Sequence, residues 1–326
     1  MKPRRDYTFS SSIGPLIEQH LTERRASGFI YNSASDVLKE LDTFCIENDF
    51  KADTVTKEMA DAWSVQRDSE GISSRNIRVS ILRQLSKYIF SLGREAYLPP
   101  NTQSGEVKVS HVFSEKERIE FFAALDSLKV RTGKYGGILL EECKVIFRLY
   151  YCCGLRLSEP LELRWENVNL DQGWIKIIQS KGYKDRILWL PEDILSLLKE
   201  YRGTISKYQP GSEYVFPGIK EGKHINDVTV RNYFRRALSQ TSCAGIATPP
   251  TIKSFRHTYV VDRLNSWMLS GENINEKLPY LCKFLGHSSI HESLYYYHQV
   301  EEGMKIIREK DKTSKIVIPE VIPYED

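Results

Sequence analysis

No apolar run in this 326-residue chain approaches the ~18–20 residues that a bilayer span needs, so a membrane protein is not expected. The first residues, Met-Lys-Pro-Arg-Arg-Asp, are basic, but no apolar stretch follows them, and a secretory signal is not expected either. Cysteine is scarce: six residues, at 45, 143, 152, 153, 243 and 282, none in a Cys-x-x-Cys spacing. That pattern argues against a zinc module, and the adjacent Cys152 and Cys153 cannot easily bridge each other without strain. Reduced, buried thiols in a cytoplasmic, nucleoid-associated protein are the expectation. Neither a Gly-x4-Gly-Lys-Ser/Thr nor a Gly-x-Gly-x-x-Gly motif occurs, which speaks against nucleotide hydrolysis. His287 and His291 stand four apart without a third ligand to complete a metal set, so no metal and no cofactor are expected. An excess of one charge is also missing. Lys and Arg number 46 against 43 Asp and Glu, a net +3 that is compatible with nucleic acid without demanding it. Clustering of the basic residues is then more informative than their total.

What is present divides in two. Residues 1–98 read as a small helical domain. Ser10, Ser11 and Ser12 offer caps for a helix running to about Arg25, and Gly28 ends it. A second helix from about Ser33 carries Val37, Leu38, Leu41 and Cys45 at helical spacing. Thr56 caps a third with Met59, Ala60 and Trp63 inward. The fourth, from Ser73 to about Leu92, has Ile77, Ile81, Leu82, Leu85 and Ile89 as its apolar stripe. That helix also carries Arg75, Arg78, Arg83 and Lys87 with no acid between them, as a solvated face or a helix lying along DNA phosphates would. Residues 99–110 lose periodicity and gather Pro, Asn, Ser and Gly, the mark of a linker.

Residues 111–326 open on Ser114 and Glu117, the two ends of a capping box, before a helix holding Ile119, Phe122 and Leu125. Leu139–Cys153 is a strongly apolar helix stopped by Gly154. In the following Leu-Arg-Leu-Ser-Glu-Pro, Ser158 is placed to cap the next helix with Pro160 in its first turn. Arg156 lies between leucines, where burial is costly unless an anion awaits it; Glu159 is one such anion and a phosphate another. Two alternating runs, 174–178 and 186–190, flank a loop with Lys181 at its tip and predict an antiparallel hairpin. Helices follow at about 193–202, at 226–239 with Arg231, Arg235 and Arg236, and at 254–268. Leu285-Gly286-His287 then places a histidine on a turn before three consecutive tyrosines, 295–297, which cannot all face one core because helix neighbours differ by roughly 100°.

Arg156 in Gly-Leu-Arg-Leu-Ser-Glu, Lys181 in a hairpin, Arg256-His257-Thr258, Leu285-Gly286-His287 and Tyr296 nine residues further on resemble, in order and spacing, the tyrosine recombinase family. The family takes in phage-type integrases, Xer-like recombinases and transposon integrases. The resemblance covers the second domain, and the first resembles the family's core-binding, SAM-like domain. It implies a mainly α fold with a small antiparallel sheet: a two-domain clamp of helical core-binding domain and DNA breaking-rejoining catalytic domain. It also implies a site-specific recombinase that cuts and rejoins duplex DNA through a 3′-phosphotyrosine. The nearest alternatives are a type IB topoisomerase-like enzyme and a catalytically dead DNA-binding protein. By the resemblance, Arg156 and Arg256 hold the scissile phosphate, Lys181 protonates the leaving 5′-oxygen, His287 donates to the phosphate, Tyr296 is the nucleophile and Glu159 supports Arg156. Lys253 departs from the pattern: family members mostly carry histidine there, and a charged ammonium binds phosphate or phenolate but cannot take a proton. Arg75, Arg78, Arg83, Lys87, Arg231 and Arg235 are the expected DNA contacts. The implied partners are double-stranded DNA, accessory DNA-binding proteins and three further copies in a tetramer on two sites. The β-rich tail near Ile316-Val317-Ile318 is expected to exchange between protomers.

Overall fold

The computed structural model describes residues 5–102, 110–130, 135–180 and 184–287, together with Ser289, Glu292 and Leu294. Lys181, His291, Tyr295, Tyr296, Tyr297 and the whole tail from residue 301 lie outside the described residues. The chain divides into two compact units, Met1–Lys108 and Val109–Asp326. Among the described residues no helix is long and apolar enough to cross a membrane. None of the six cysteines, all of them described, forms a disulfide.

Among its described residues the first unit has four helices, α1 (Gly14–Ala26), α2 (Asn32–Glu47), α3 (Lys57–Ser64) and α4 (Ile72–Ser91), around Ile17, Leu38, Met59, Trp63 and Leu85. Thr56 caps α3 by accepting from the Met59 N–H at 3.2 Å. The serines before α1 do not cap it. Ser10 and Ser11 instead turn their backbone N–H groups, and Ser11 its hydroxyl, to the buried Asp42 carboxylate on α2. That carboxylate has more to gain from donors than a helix end open to water. The stripe of α4 is also rotated from the expected one. Ile77 is 58% exposed, while Val79 and Tyr88 are buried beside Ile81, Leu82, Leu85 and Ile89. Arg78 occupies an inward position, where it pairs with Glu70.

His20 on α1 is buried against Tyr31 and Tyr88, and neither ring nitrogen has a hydrogen-bond partner among the described residues. Burial, reinforced by Arg24, lowers its pKa from 6.5 to about 4. Above 6.5 the ring is neutral in both folded and unfolded chains. Between 6.5 and about 4 only the unfolded chain takes up the proton. Stability is therefore complete above that window and is lost as pH falls through it, by at most ~1.4 kcal/mol per pH unit. Denaturant melts of His20→Phe should lose less stability than wild type between about pH 6.5 and 4; parallel pH profiles would refute the assignment.

The second unit begins with α5 (Glu115–Asp126) and α6 (Gly136–Cys153), then the one-turn α7 (Ser158–Leu161) and a 3-10 turn (Trp165–Asn167). A three-stranded antiparallel sheet follows, β1 (Val168–Asn169), β2 (Trp174–Ser180) and β3 (Lys184–Trp189), in that order, with Trp174 opposite Trp189 and Ile175 opposite Leu188. Among the described residues four helices follow: α8 (Glu192–Tyr208), α9 (Asp227–Leu238), α10 (Ile252–Leu269) and α11 (Ile274–Leu285). A mainly helical fold with a small antiparallel sheet is what the sequence led one to expect. The core joins Phe121, Phe147, Phe234 and Phe255 from α5, α6, α9 and α10. The Ser114/Glu117 capping box forms, and Leu125 is buried as expected, but Phe121 and Ala124 are its buried companions while Ile119 is 64% exposed. Ser158 is the first residue of α7 and makes no side-chain cap.

Candidate active site

The last carbonyls of a helix have no intrahelical donor and carry the negative end of its dipole. At the end of α11 the chain reverses through Gly286, whose φ of +66° suits glycine. The Gly286 N–H donates to Lys283 O at 3.1 Å and the His287 N–H to Cys282 O at 2.9 Å, closing a Schellman turn. The next three carbonyls each accept from a different arginine. Arg186 Nε donates to Phe284 O at 2.7 Å, Arg256 Nη2 to Leu285 O at 2.7 Å and Arg156 Nη2 to Gly286 O at 2.6 Å. A Cβ on Gly286 would stand 3.2 Å from the Nη1 atoms of both Arg156 and Arg186. The turn thus gathers three guanidiniums that are far apart in sequence.

Each arginine is held a second time. Gly154, which ends α6 at φ +57°, accepts from Arg256 Nη1 through its carbonyl at 2.7 Å, and a Cβ there would meet Tyr259 and Leu285 at 2.8 and 2.9 Å. Glu159 on α7 is buried and receives the other two. Its Oε1 accepts from Arg156 Nη1 at 3.1 Å and Arg186 Nη1 at 2.9 Å. Its Oε2 accepts from the Arg156 backbone N–H at 2.8 Å and Arg186 Nη2 at 2.7 Å. Two of these guanidiniums share one carboxylate and the third donates to carbonyls, a balance that leaves positive charge favouring an anion.

Arg186 was not singled out from the sequence. The signal is in the alternation of β3: Leu188 is buried, Ile187 and Trp189 are 53% and 66% exposed, and Arg186 is in register with Leu188. A charge at a core position of an alternating strand calls for a buried partner, and Glu159 supplies it. Removing one side of such a pair is costly, roughly 3–5 kcal/mol. Arg186→Leu should therefore lower the unfolding free energy by about 3 kcal/mol in urea titrations. A loss below about 1 kcal/mol, the size of an exposed pair, would show that Glu159 is satisfied without it.

His287 is 8% exposed. Burial first, then Arg256, and more weakly Arg156 and Arg186, lower its pKa to about 4 against the opposing pull of Glu292. It is thus neutral near pH 7, with one ring N–H and one ring acceptor. His257 is lowered to about 4 by burial, then by Lys253 and Arg256. Lys253 itself is exposed on the first turn of α10, one turn before His257. The described residues therefore bring Arg156, Glu159, Arg256 and His287 together with Arg186, and place Lys253 beside His257.

The basic residues expected on DNA divide differently. Arg78 is buried, pairs with Glu70 at 2.7 Å, donates to the carbonyls of Trp63 and Val65 and lies over the Trp63 ring. Arg78, expected on DNA, is thus enclosed by partners of its own unit. Arg75 donates to Ser64 O at 2.6 Å and is half-buried, as is Arg83, whereas Lys87 is exposed. On α9, Arg231 and Arg235 are exposed, with local partners in Asp227 and Asn232.

The phage integrase family matches residues 137–302. An integrase/recombinase of Escherichia coli is 26% identical over 204 residues, 51% of this chain and 57% of its own length, so the chain spans little more than half of that relative. Among solved structures, the Tn1549 transposon integrase in complex with transposon right end DNA superposes with a TM-score of 0.64 at 14% identity, over 90% of this chain and 98% of its own. A lambda integrase tetramer bound to a Holliday junction gives 0.60 at 16%, over 86% of this chain and 76% of its own.

Proposed function

The chain belongs to the phage integrase family of tyrosine recombinases, and from that premise we propose that it is a site-specific DNA strand transferase that cuts and rejoins duplex DNA through a covalent 3′-phosphotyrosine. The observation that carries this reading is the set of arginines gathered at the α11 turn beside a neutral His287.

Phosphoryl transfer depends chiefly on positioning and on stabilising charge, with attacking and leaving oxygens in line. Arg156 and Arg256 bind the non-bridging oxygens of the scissile phosphate, where planar forks fit bidentately and a lysine would be a point charge. Arg186 does not touch substrate in this scheme. It positions Arg156 by sharing the Glu159 carboxylate. The neutral His287 donates one hydrogen bond to the phosphate, Lys253 contributes a cation on the same side, and Lys181 protonates the departing 5′-oxygen. Tyr296 attacks as phenolate. The bond formed is Tyr296 Oη–P and the bond broken is P–O5′. The phosphotyrosine retains the energy of the broken ester, so rejoining consumes no nucleotide.

Arg75, Arg83 and Lys87 in the first unit and Arg231 and Arg235 in the second contact backbone phosphates and set register rather than sequence. The assembly is a tetramer on two sites, coupled by exchange of the tail, and the reaction is integration or excision of a mobile element. The solved transposon integrase on right-end DNA and the lambda tetramer on a Holliday junction favour this version. Incubation with duplex DNA nicked close to the cleavage point should yield an adduct that survives SDS. DNA binding without any adduct would leave a binding protein with an inactive site.

A further inference from the structure

Away from the arginines, three side chains that ligate metals meet at the start of α5. His111 precedes the helix, Glu117 is its third residue and Cys243 follows α9. His111 Nε2 is 3.2 Å from Glu117 Oε2, and Cys243 Sγ is 3.2 Å from Glu117 Oε1. One donor atom from each residue lies within 4.8 Å of the other two. The ligands are separated by 6 and 126 positions, which is why no spacing in the sequence announces them.

We propose that His111, Glu117 and Cys243 form a binding site for one zinc-class divalent cation, with water as the fourth ligand. Bonds of ~2.0–2.3 Å from zinc to nitrogen, oxygen and sulfur put tetrahedral donors roughly 3.3–3.7 Å apart, so only small side-chain shifts separate the observed cluster from a coordinated one. The donor set is borderline to soft, one imidazole, one carboxylate and one thiol, which suits zinc or cobalt and not magnesium or calcium. Glu117 is oriented by a second layer: its Oε2 accepts from the Ser114 N–H at 2.7 Å and the Ser114 hydroxyl at 3.0 Å, leaving Oε1 towards the thiol. Cys243 is buried, while the His111 and Glu117 side chains are each 19% exposed, so the site has one side open to water.

The binding step balances simply: the thiol loses its proton to solvent and the sulfur lone pair forms the metal bond, with no redox change. Metal binding at a thiol releases a proton, so uptake of the cation should acidify an unbuffered solution. The ion would tie the irregular segment before α5 to the turn that follows α9. Close by, the Phe113 N–H already donates to Thr258 Oγ1 on α10 at 2.9 Å. The role is structural and does not depend on the recombinase reading.

The test is a titration of the full chain, first freed of metal by a chelator, with Co²⁺. Expected are one ion per chain, tetrahedral d–d bands and a thiolate-to-cobalt charge-transfer band. Cys243→Ser should abolish that band and His111→Ala should weaken binding at least tenfold, both with wild-type circular dichroism. Cys152→Ser should change nothing. Zn²⁺ should raise the melting temperature of wild type but not of Cys243→Ser. No cobalt spectrum, or a charge-transfer band that persists in Cys243→Ser, would overturn the proposal.

Discussion

Arg256→Lys is expected to slow strand cleavage by about a hundredfold or more while leaving DNA binding largely intact. A preorganised donor aimed at charge that develops in the transition state contributes ~2.7–4 kcal/mol in a water-poor site. Lysine preserves the charge at 256 but not the fork, and the fork here has fixed surroundings: one nitrogen donates to Gly154 O and another to Leu285 O. An ammonium on a flexible stem can satisfy one of those buried carbonyls and leave the other without its donor, at a further ~1–3 kcal/mol of stability. The variant should thus melt earlier, with most of the catalytic loss persisting well below its melting point. Single-turnover cleavage of a nicked duplex, beside a gel-shift measurement, separates the two effects. A loss of less than tenfold with binding retained would mean that Arg256 only braces the α11 turn and that the phosphate is held elsewhere.

Tyr296→Phe should abolish the SDS-resistant adduct altogether while binding DNA like wild type. Tyr295→Phe and Tyr297→Phe should retain cleavage within a few-fold. Without the phenolic oxygen no P–O bond can form at that position, so the effect is qualitative. A free phenol, with a pKa of ~10, is mostly protonated at neutral pH, and neighbouring cations must favour its ionised form. Adduct formation by the Tyr296 variant would move the nucleophile to a neighbour and break the nine-residue spacing from His287 on which the assignment rests.

Some features of this protein are local and could be read directly. Helix starts at Thr56 and Ser114 depend on a hydroxyl and a backbone N–H three residues apart, and both form as expected. Gly154 is legible as a helix stop and Gly286 as a turn because a left-handed backbone favours glycine. The alternation that marks β2 and β3 is equally local. The motif arginines were legible by type and order, through resemblance.

Where a long side chain ends up is a different matter, because it depends on partners brought from elsewhere in the chain. Arg78 and Lys87 belong to one cationic run, yet Glu70 and two carbonyls draw Arg78 inward while Lys87 stays in water. Ser10 and Ser11 have the chemistry of caps, but a buried carboxylate on α2 claims them. Arg186 gains its place only when Glu159 and the end of α11 meet it, and Cys243 becomes a candidate ligand only beside Glu117. The sequence alone determined most of the helices, the hairpin and the inventory of charged groups, since these follow from spacing within a few residues, though α11 was not among them. Tertiary structure decided which of those charges are buried against one another and which face solvent, because the energy of a buried ion depends on what surrounds it in space.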